Sequence, residues 1–98
     1  MTIKKTAEND KLTVSVEGRL DTTTTPQLEA ELKNSLEGVK ELVFVIKDLD
    51  YISSAGLRVL LSAQKVMNKQ GKMTVTGANE AVMEIFEVTG FVDILNIE

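Results

Sequence analysis

The stretch of residues 42–61 limits what this chain can fold into more than any other part of the sequence. It opens with the apolar run 42–46, which is short, β-branched and aromatic and so predicts a strand buried on both faces. After a polar break at residues 47–50, the segment 53–56 (Ser-Ser-Ala-Gly) leads into a pattern of helical period. The sequence therefore predicts two serines at a helix start, where backbone N–H groups lack partners and the helix dipole is positive.

Two missing residue types remove some of the commonest enzyme chemistry. The chain of 98 residues has no histidine and no cysteine, which removes the usual general base, the Ser-His-Asp triad and any disulfide or thiolate metal site. Its net charge of −4 argues against nucleic-acid binding. No apolar run approaches the roughly 18 residues of a membrane span, and the N-terminus lacks the apolar core of a signal peptide. We therefore expect one cytoplasmic domain over residues 1–98 that is not an enzyme and needs no cofactor.

The N-terminal part predicts a hairpin followed by a helix. Residues 3–7 and 11–17 have the pattern of two strands joined by a turn, with the first at a sheet edge. Thr25 before Pro26 predicts a helix N-cap, because proline is tolerated in the first helical turn. Leucines spaced four apart extend this amphipathic helix to an expected end near Gly38.

In the helix that follows the two serines, the apolar residues span a wider arc of the helix surface than a helix needs to pack against a single core. This helix is predicted to end where Gly71 stops it. Its polar stripe consists of Arg58, Ser62, Lys65 and Lys69. The flank formed by Val59, Ala63 and Val66 is therefore either covered by the fold or a contact surface for a partner.

The C-terminal part completes an alternation of helices and strands. Residues 72–76 predict a strand, while Asn79 and Gly90 predict the two ends of a last helix. Two strands followed by alternating α and β elements indicate an α/β fold, in which a mixed sheet has helices on one or both faces. The crossovers after the second strand should join parallel strands.

Serine chemistry at residues 53–56 has one surviving interpretation. The hydrolase motif Gly-x-Ser-x-Gly keeps its second glycine as Gly56, but Ile52 replaces the first and no histidine can take the proton. Asp48 and Asp50 form a pair that can hold Mg²⁺ with a phosphate, although such residues are more often solvated turn residues. What remains is a serine that receives a group instead of performing catalysis.

A phosphate on Ser54 would fit such a helix start. Phosphoserine carries roughly −1.5 to −2 charges, and the helix dipole favours a negative group there by about 0.3–1 kcal/mol. The same charge on a protein contact surface is costly to desolvate. The modification would then break an interface without unfolding the domain.

Three segments of the chain resemble one known family. Leu-Asp-Tyr-Ile-Ser-Ser-Ala-Gly-Leu at residues 49–57 closely resembles the signature of bacterial anti-sigma-factor antagonists, small domains of the STAS class. Gly-Arg-Leu-Asp at residues 18–21 resembles the family's entry to the first helix, and residues 82–95 are similar to its C-terminal pattern. The resemblance covers essentially the whole chain. It implies a single STAS-type domain with a mixed four- to five-stranded sheet packed with α-helices.

The resemblance also implies partner switching. The unphosphorylated protein would bind an anti-sigma factor that is also a serine kinase, and would thereby free the sigma factor. The kinase would use ATP to phosphorylate the antagonist, which then lets go, and a PP2C-type phosphatase would reverse the modification. The expected partners are thus these two proteins, with no nucleic acid and no membrane span.

Aligning the family's glycine with Gly56 carries its acceptor serine onto Ser54. Ser53 takes the place of the usual aspartate and becomes a competing acceptor, while Asp21 matches an acidic loop residue of the family. The expected partner surface consists of Asp21, Thr22, Thr23, Ser53, Ser54, Ala55, Gly56, Arg58 and Val59. The alternative is a non-phosphorylated STAS scaffold in a sensory or transport complex, which the missing aspartate favours slightly.

Overall fold

The computed structural model describes residues 1–98, whose strands form one mixed five-stranded arrangement. The strands are β1 (Thr2–Glu8), β2 (Lys11–Leu20), β3 (Glu41–Val45), β4 (Leu49–Ile52) and β5 (Lys72–Thr76). The helices are α1 (Thr25–Lys33), α2 (Ser54–Gln70) and α3 (Glu80–Thr89), followed by a short 3₁₀ turn at Phe91–Asp93. This architecture confirms the expected α/β class. None of the helices is long and apolar enough to cross a membrane.

The order of the main sheet is β1-β2-β3-β5. β1 and β2 form the predicted antiparallel hairpin, with β1 at the edge and Asn9 in the left-handed region at φ 57°. Asparagine tolerates that conformation better than most residues, which explains the tight turn. The pairs β2–β3 and β3–β5 are parallel, as the alternation of elements predicts.

β4 is a strand that the sequence did not reveal. It pairs in parallel with the last residues of β2, after a register shift next to Gly18, whose φ is 97°. β3 pairs with the first half of β2 and β4 with its last residues. Between these two pairings, the Gly18 N–H donates to Asp48 O at 3.0 Å. Residues 47–50 looked like a polar break because Asp48 and Asp50 are exposed, whereas Leu49 between them is fully buried.

The core lies on one face of the sheet. Leu12, Val14 and Val16 of β2 share that face with Leu42 and Phe44 of β3 and with Met73 and Val75 of β5. On the opposite face Val43 and Val45 are only half-buried, so the prediction that β3 is buried on both faces is wrong. Valine suits a strand on either face, and an apolar run therefore overstates how much of a strand is covered.

α1 begins and ends earlier than predicted. Its N-cap is Thr24, not Thr25, and it stops at Lys33 instead of near Gly38. The hydroxyl of Ser35 donates to the Glu31 carbonyl at 2.6 Å, and that carbonyl is the one a continuing helix would offer to the Ser35 N–H. The Ser35 N–H turns instead to Leu32 O at 3.0 Å, which ends the helix.

α2 and α3 end where the sequence predicts. Gly71 follows α2, and Gly90 follows α3 at φ 80°. The Asn79 side chain caps α3 by accepting from the Val82 N–H at 2.8 Å. α1 packs against α2, so two of the three flank residues, Val59 and Ala63, are buried and only Val66 is exposed.

Candidate functional site

Two chain segments meet at the C-terminal ends of β2 and β4. The Ser53 N–H donates to Leu20 O at 2.8 Å, directly where the two parallel strands end. Parallel strands leave their sheet at the same edge, so the loop after β2 and the turn after β4 lie side by side. The threonine-rich loop that starts at Asp21 therefore adjoins the start of α2, a proximity that sequence spacing alone did not show.

The two serines at this junction have different environments. Ser53 is the extended N-cap of α2, half-buried, and its Oγ accepts from the Gly56 N–H at 3.4 Å. Ser54 is the first residue of the helix, and its side chain is exposed and makes no hydrogen bond within the chain. The hydroxyl of Ser54 is therefore available to another molecule, whereas that of Ser53 is turned towards the helix backbone.

Gly56 lets the first turn of α2 sit directly on the strand ends. A Cβ at this position would lie 2.8 Å from Leu20 Cγ and 2.8 Å from Ile52 Cγ1, closer than real Cβ contacts come. Both neighbouring side chains are buried in the core and have little room to move. The glycine thus sets how closely the serine turn approaches the sheet.

The loop after β2 is organised by the carboxylate of Asp21. Its Oδ1 accepts from the N–H of Thr23 at 3.0 Å, from the N–H of Thr24 at 3.1 Å and from the Thr24 hydroxyl at 3.2 Å. The hydrogen bond from the Thr24 backbone is the largest cause that lowers the pKa of Asp21 below its ordinary value; the Thr23 N–H, the Thr24 hydroxyl and the charge of Arg19 add to it. Asp21 is therefore a charged residue whose first role is to hold the loop in shape.

Arg19 and Tyr51 form a contact that the sequence did not predict. The guanidinium carbon of Arg19 lies 4.6 Å from the centre of the Tyr51 ring, within cation–π range. Arg19 Nε also lies 3.7 Å from Asp21 Oδ2. Arg19 and Tyr51 are register partners in the β2–β4 pair, so their contact could be predicted only if β4 were known.

The predicted partner surface divides into accessible and buried residues. Thr22, Thr23, Ser54 and Arg58 are exposed, while Asp21, Ser53 and Ala55 are half-buried. Gly56 and Val59 are buried beneath them and can shape the surface only by packing. Arg58 lies one turn beyond Ser54 on the same helix, which places the two side chains as neighbours.

This junction is a surface and not a pocket. The largest cavity, about 550 Å³, lies between α1 and α2, and its lining does not include either serine. Asp48 and Asp50 are exposed. Nowhere in the chain do three or more acidic side chains cluster so that they could hold a metal ion. An exposed hydroxyl outside both cavities is accessible to another protein.

Comparison with known proteins identifies relatives along nearly the full chain. The family model of the STAS domain matches residues 2–98. BtrV of Bordetella bronchiseptica, which carries the name of an anti-sigma factor antagonist, is 38% identical over 88 residues, covering 88% of this chain and 76% of BtrV. The anti-sigma-B factor antagonist of Bacillus subtilis is 32% identical over 94 residues, covering 95% of this chain and 85% of that protein.

The fold is also similar to solved structures. The anti-sigma factor antagonist SpoIIAA in its unphosphorylated form superposes with a TM-score of 0.85 at 14% identity, covering 99% of this chain and 88% of SpoIIAA. SpoIIAA of Bacillus in its phosphorylated form superposes with a TM-score of 0.77 at 13% identity, covering 99% of this chain and 91% of that one. At such low identity these likenesses bear on the fold alone.

Proposed function

This chain belongs to the STAS domain family, and from that membership we propose that it is an anti-sigma factor antagonist that works by partner switching. In the unphosphorylated form it binds an anti-sigma factor and frees the sigma factor. Phosphorylation of Ser54 releases the anti-sigma factor. The observation that carries this proposal is the exposed, unbonded hydroxyl of Ser54 at the first position of α2.

Ser54 is the better acceptor of the two serines. Its hydroxyl can enter a kinase without loss of an intramolecular bond, whereas modification of Ser53 would remove the cap that accepts from the Gly56 N–H. A phosphate on Ser54 also lies within reach of the free N–H groups and the positive dipole end of α2. The domain should therefore tolerate the phosphate on Ser54 with little change in stability.

The charge of the phosphate would act on the partner and not on the fold. A surface that buries Ser54 against the anti-sigma factor would have to desolvate roughly two negative charges after phosphorylation. The adjoining carboxylate of Asp21 and the exposed residues of its loop would lie in the same interface. The proposed partner surface comprises Asp21, Thr22, Thr23, Ser53, Ser54, Ala55 and Arg58, supported from below by Gly56 and Val59.

The proposal includes a kinase and a phosphatase. The anti-sigma factor would itself be the ATP-dependent serine kinase, and a PP2C-type phosphatase would restore the binding form. SpoIIAA, which has the same fold, has been solved in a phosphorylated and an unphosphorylated form, so a domain of this fold can exist in both states.

The second candidate function is a STAS scaffold that is not phosphorylated and joins a sensory or transport complex. The observation in its favour is Ser53, which stands where the family usually carries an aspartate. The two candidates differ in one property, since only the first requires a chemical change at Ser54.

Incubation of the full chain with its cognate anti-sigma factor and ATP, followed by peptide mass spectrometry, separates the two. We expect one phosphate on Ser54, none in Ser54→Ala, and an unchanged yield in Ser53→Ala. A kinase that binds the chain but leaves Ser54 unmodified would overturn the phosphorylation switch in favour of the scaffold. Modification of Ser53 instead would overturn the choice of acceptor.

A further inference from the structure

The charges of this chain are divided unevenly along its length. From residue 73 to residue 98 there are five acidic residues and no lysine or arginine. The acids are Glu80, Glu84, Glu87, Asp93 and Glu98, and all five are exposed. None of them takes part in an ion pair within the chain. The region of α3 is thus an acidic surface whose charges are not neutralised by neighbouring side chains.

The exposed side of α3 carries two parallel rows. Glu80, Glu84 and Glu87 form an acidic row, because residues three and four apart follow one another on a helix surface. Beside it runs an apolar row of Ala81, Ile85 and Val88 at the same spacing. The core is contacted from the other side of the helix, by Val82 and Phe86, which are fully buried.

Ala81 and Val88 of the apolar row are exposed, whereas Ile85 between them is half-buried and packs partly against the core. Val88 is 81% exposed, the largest exposed fraction among the large hydrophobic residues of the chain that reach the surface. A shallow hollow of about 270 Å³ is lined by Ala81, Glu84, Ile85, Val88 and Thr89. Past the end of the helix, Val92 and Ile94 add further exposed apolar surface. The apolar row thus lines one hollow beside a row of charges, an arrangement typical of a site of protein contact.

We propose that the acidic row and the apolar row, together called the α3 face, dock a basic amphipathic helix of a partner protein. The apolar side of that helix would lie on Ala81, Ile85 and Val88. Its lysines or arginines would face Glu80, Glu84 and Glu87. Amphipathic helices commonly bind in this way, with apolar anchors spaced three and four residues apart.

Charge complementarity selects this occupant over two others. A symmetric contact between the α3 faces of two copies would bring acidic rows together, since such an interface uses the same patch on both subunits. An anionic lipid surface would repel the same row. A helix with basic side chains gains from every one of these acids, and they would also steer it towards the face from a distance.

Binding at the α3 face should be independent of binding at the junction that carries Ser53 and Ser54. The Asn79 side chain ties the start of α3 to the first residue of β4 by donating to Leu49 O at 2.9 Å. Ser54 instead lies two residues beyond Ile52, the last residue of β4. A partner on the α3 face could therefore remain bound when a phosphate on Ser54 releases another protein.

The test is an NMR titration of the ¹⁵N-labelled full chain with an amidated leucine–lysine peptide of about 15 residues, which has the length to form an amphipathic helix on binding. We expect shifts concentrated in residues 80–94. Val88→Ser, which keeps every charge, should raise Kd about tenfold, or about 1.4 kcal/mol. The double variant Glu84→Gln, Glu87→Gln should weaken binding and reduce its salt dependence. The same binding by Ser54→Asp is expected.

The matched control is Glu29→Gln with Glu37→Gln, which removes two exposed acids from the vicinity of α1 and leaves the α3 face unchanged. Its Kd should stay within about twofold of the original. Equal weakening by this control, no effect of Val88→Ser, or shifts centred outside α3 would each overturn the proposal. Shifts of α3 that depend on protein concentration without peptide would assign the face to self-contact and overturn it as well.

Discussion

The starts of α2 and α3 use the same capping arrangement with different strength. Asn79 accepts from the Val82 N–H at 2.8 Å and also donates to Leu49 O, so its amide joins a helix to a strand. Ser53 accepts from the Gly56 N–H at 3.4 Å, a long bond, and makes no second side-chain bond. The residue after each cap differs too, since α3 continues with Glu80 whereas α2 continues with the exposed Ser54.

Because of this difference, the cap of α3 serves stability, whereas the start of α2 leaves a side chain available for function. At the start of α3, the side chain satisfies backbone groups on two elements and supports packing. At the start of α2, the backbone is held mainly by the Ser53–Leu20 bond and by the close fit of Gly56, which leaves the hydroxyl of Ser54 free. Under the proposed switch, a phosphate on Ser54 would change binding without a cost to the helix that carries it.

Ser54→Asp should give the largest effect and tests the functional side of the comparison. A fixed charge in the proposed interface should raise the Kd for the anti-sigma factor about a hundredfold, or about 2.7 kcal/mol. The melting temperature should hardly change, because an acidic side chain is favourable at a helix start. Calorimetric titration and a thermal melt measure the two quantities. Unchanged affinity would contradict the proposed surface.

Gly56→Ala tests whether close packing holds the α2 start in place. The added methyl would overlap the buried side chains of Leu20 and Ile52, and overpacking of this kind costs about 1–3 kcal/mol. Urea unfolding should show the loss in the free energy of unfolding. Gly38→Ala is not a suitable control because that glycine has φ 78°. Ala55→Gly, at a half-buried neighbour, is a control that adds no atoms and should cost only the helix preference of alanine over glycine, about 0.5–1 kcal/mol.

Asn79→Ala and Ser53→Ala compare the two caps directly. Loss of the Asn79 amide removes a cap and leaves Leu49 O without its side-chain donor, so we expect about 2 kcal/mol of destabilisation. Loss of the long Ser53 bond should cost about 0.5 kcal/mol, the low end for caps. Urea unfolding of both variants measures this. Equal losses in the free energy of unfolding of the two variants would contradict the difference in capping strength between α2 and α3.

The smallest effect concerns the pH dependence of Asp21. Its pKa is lowered in the folded state, chiefly by the Thr24 N–H, with contributions from Thr23 and Arg19. A carboxyl whose pKa is lower in the folded chain than in the unfolded chain stabilises the fold. This contribution is complete at pH values above the unfolded pKa of about 4, and it is lost as the pH falls through the folded pKa. NMR titration of the Asp21 carboxyl should give a midpoint below that of the urea-unfolded chain. A midpoint at or above it would show that the loop bonds do not favour the ionised form.

Much of the fold was accessible from local pattern. The hairpin, the cap at Asn79 and the stop at Gly71 follow from turn and capping preferences of a few neighbouring residues. The edge position of β1 follows from its weaker strand pattern. The end of α1 was missed because it depends on the bond that Ser35 makes back to Glu31. β4 was missed because a strand of four residues with two exposed positions has no visible period.

Apart from β4, the order of strands and helices follows from periodicity within short segments, and the position of two serines at the start of α2 follows from local capping preferences. Which hydroxyl is free became clear from the three-dimensional fold, in which Ser53 turns to its own helix and Ser54 does not. The fold also decided that Arg19, Tyr51 and Asp21 lie together. Tyr51 is 32 residues from Arg19 and 30 from Asp21 in the sequence, and the pairing of β2 with β4 that joins them depends on packing of the whole sheet.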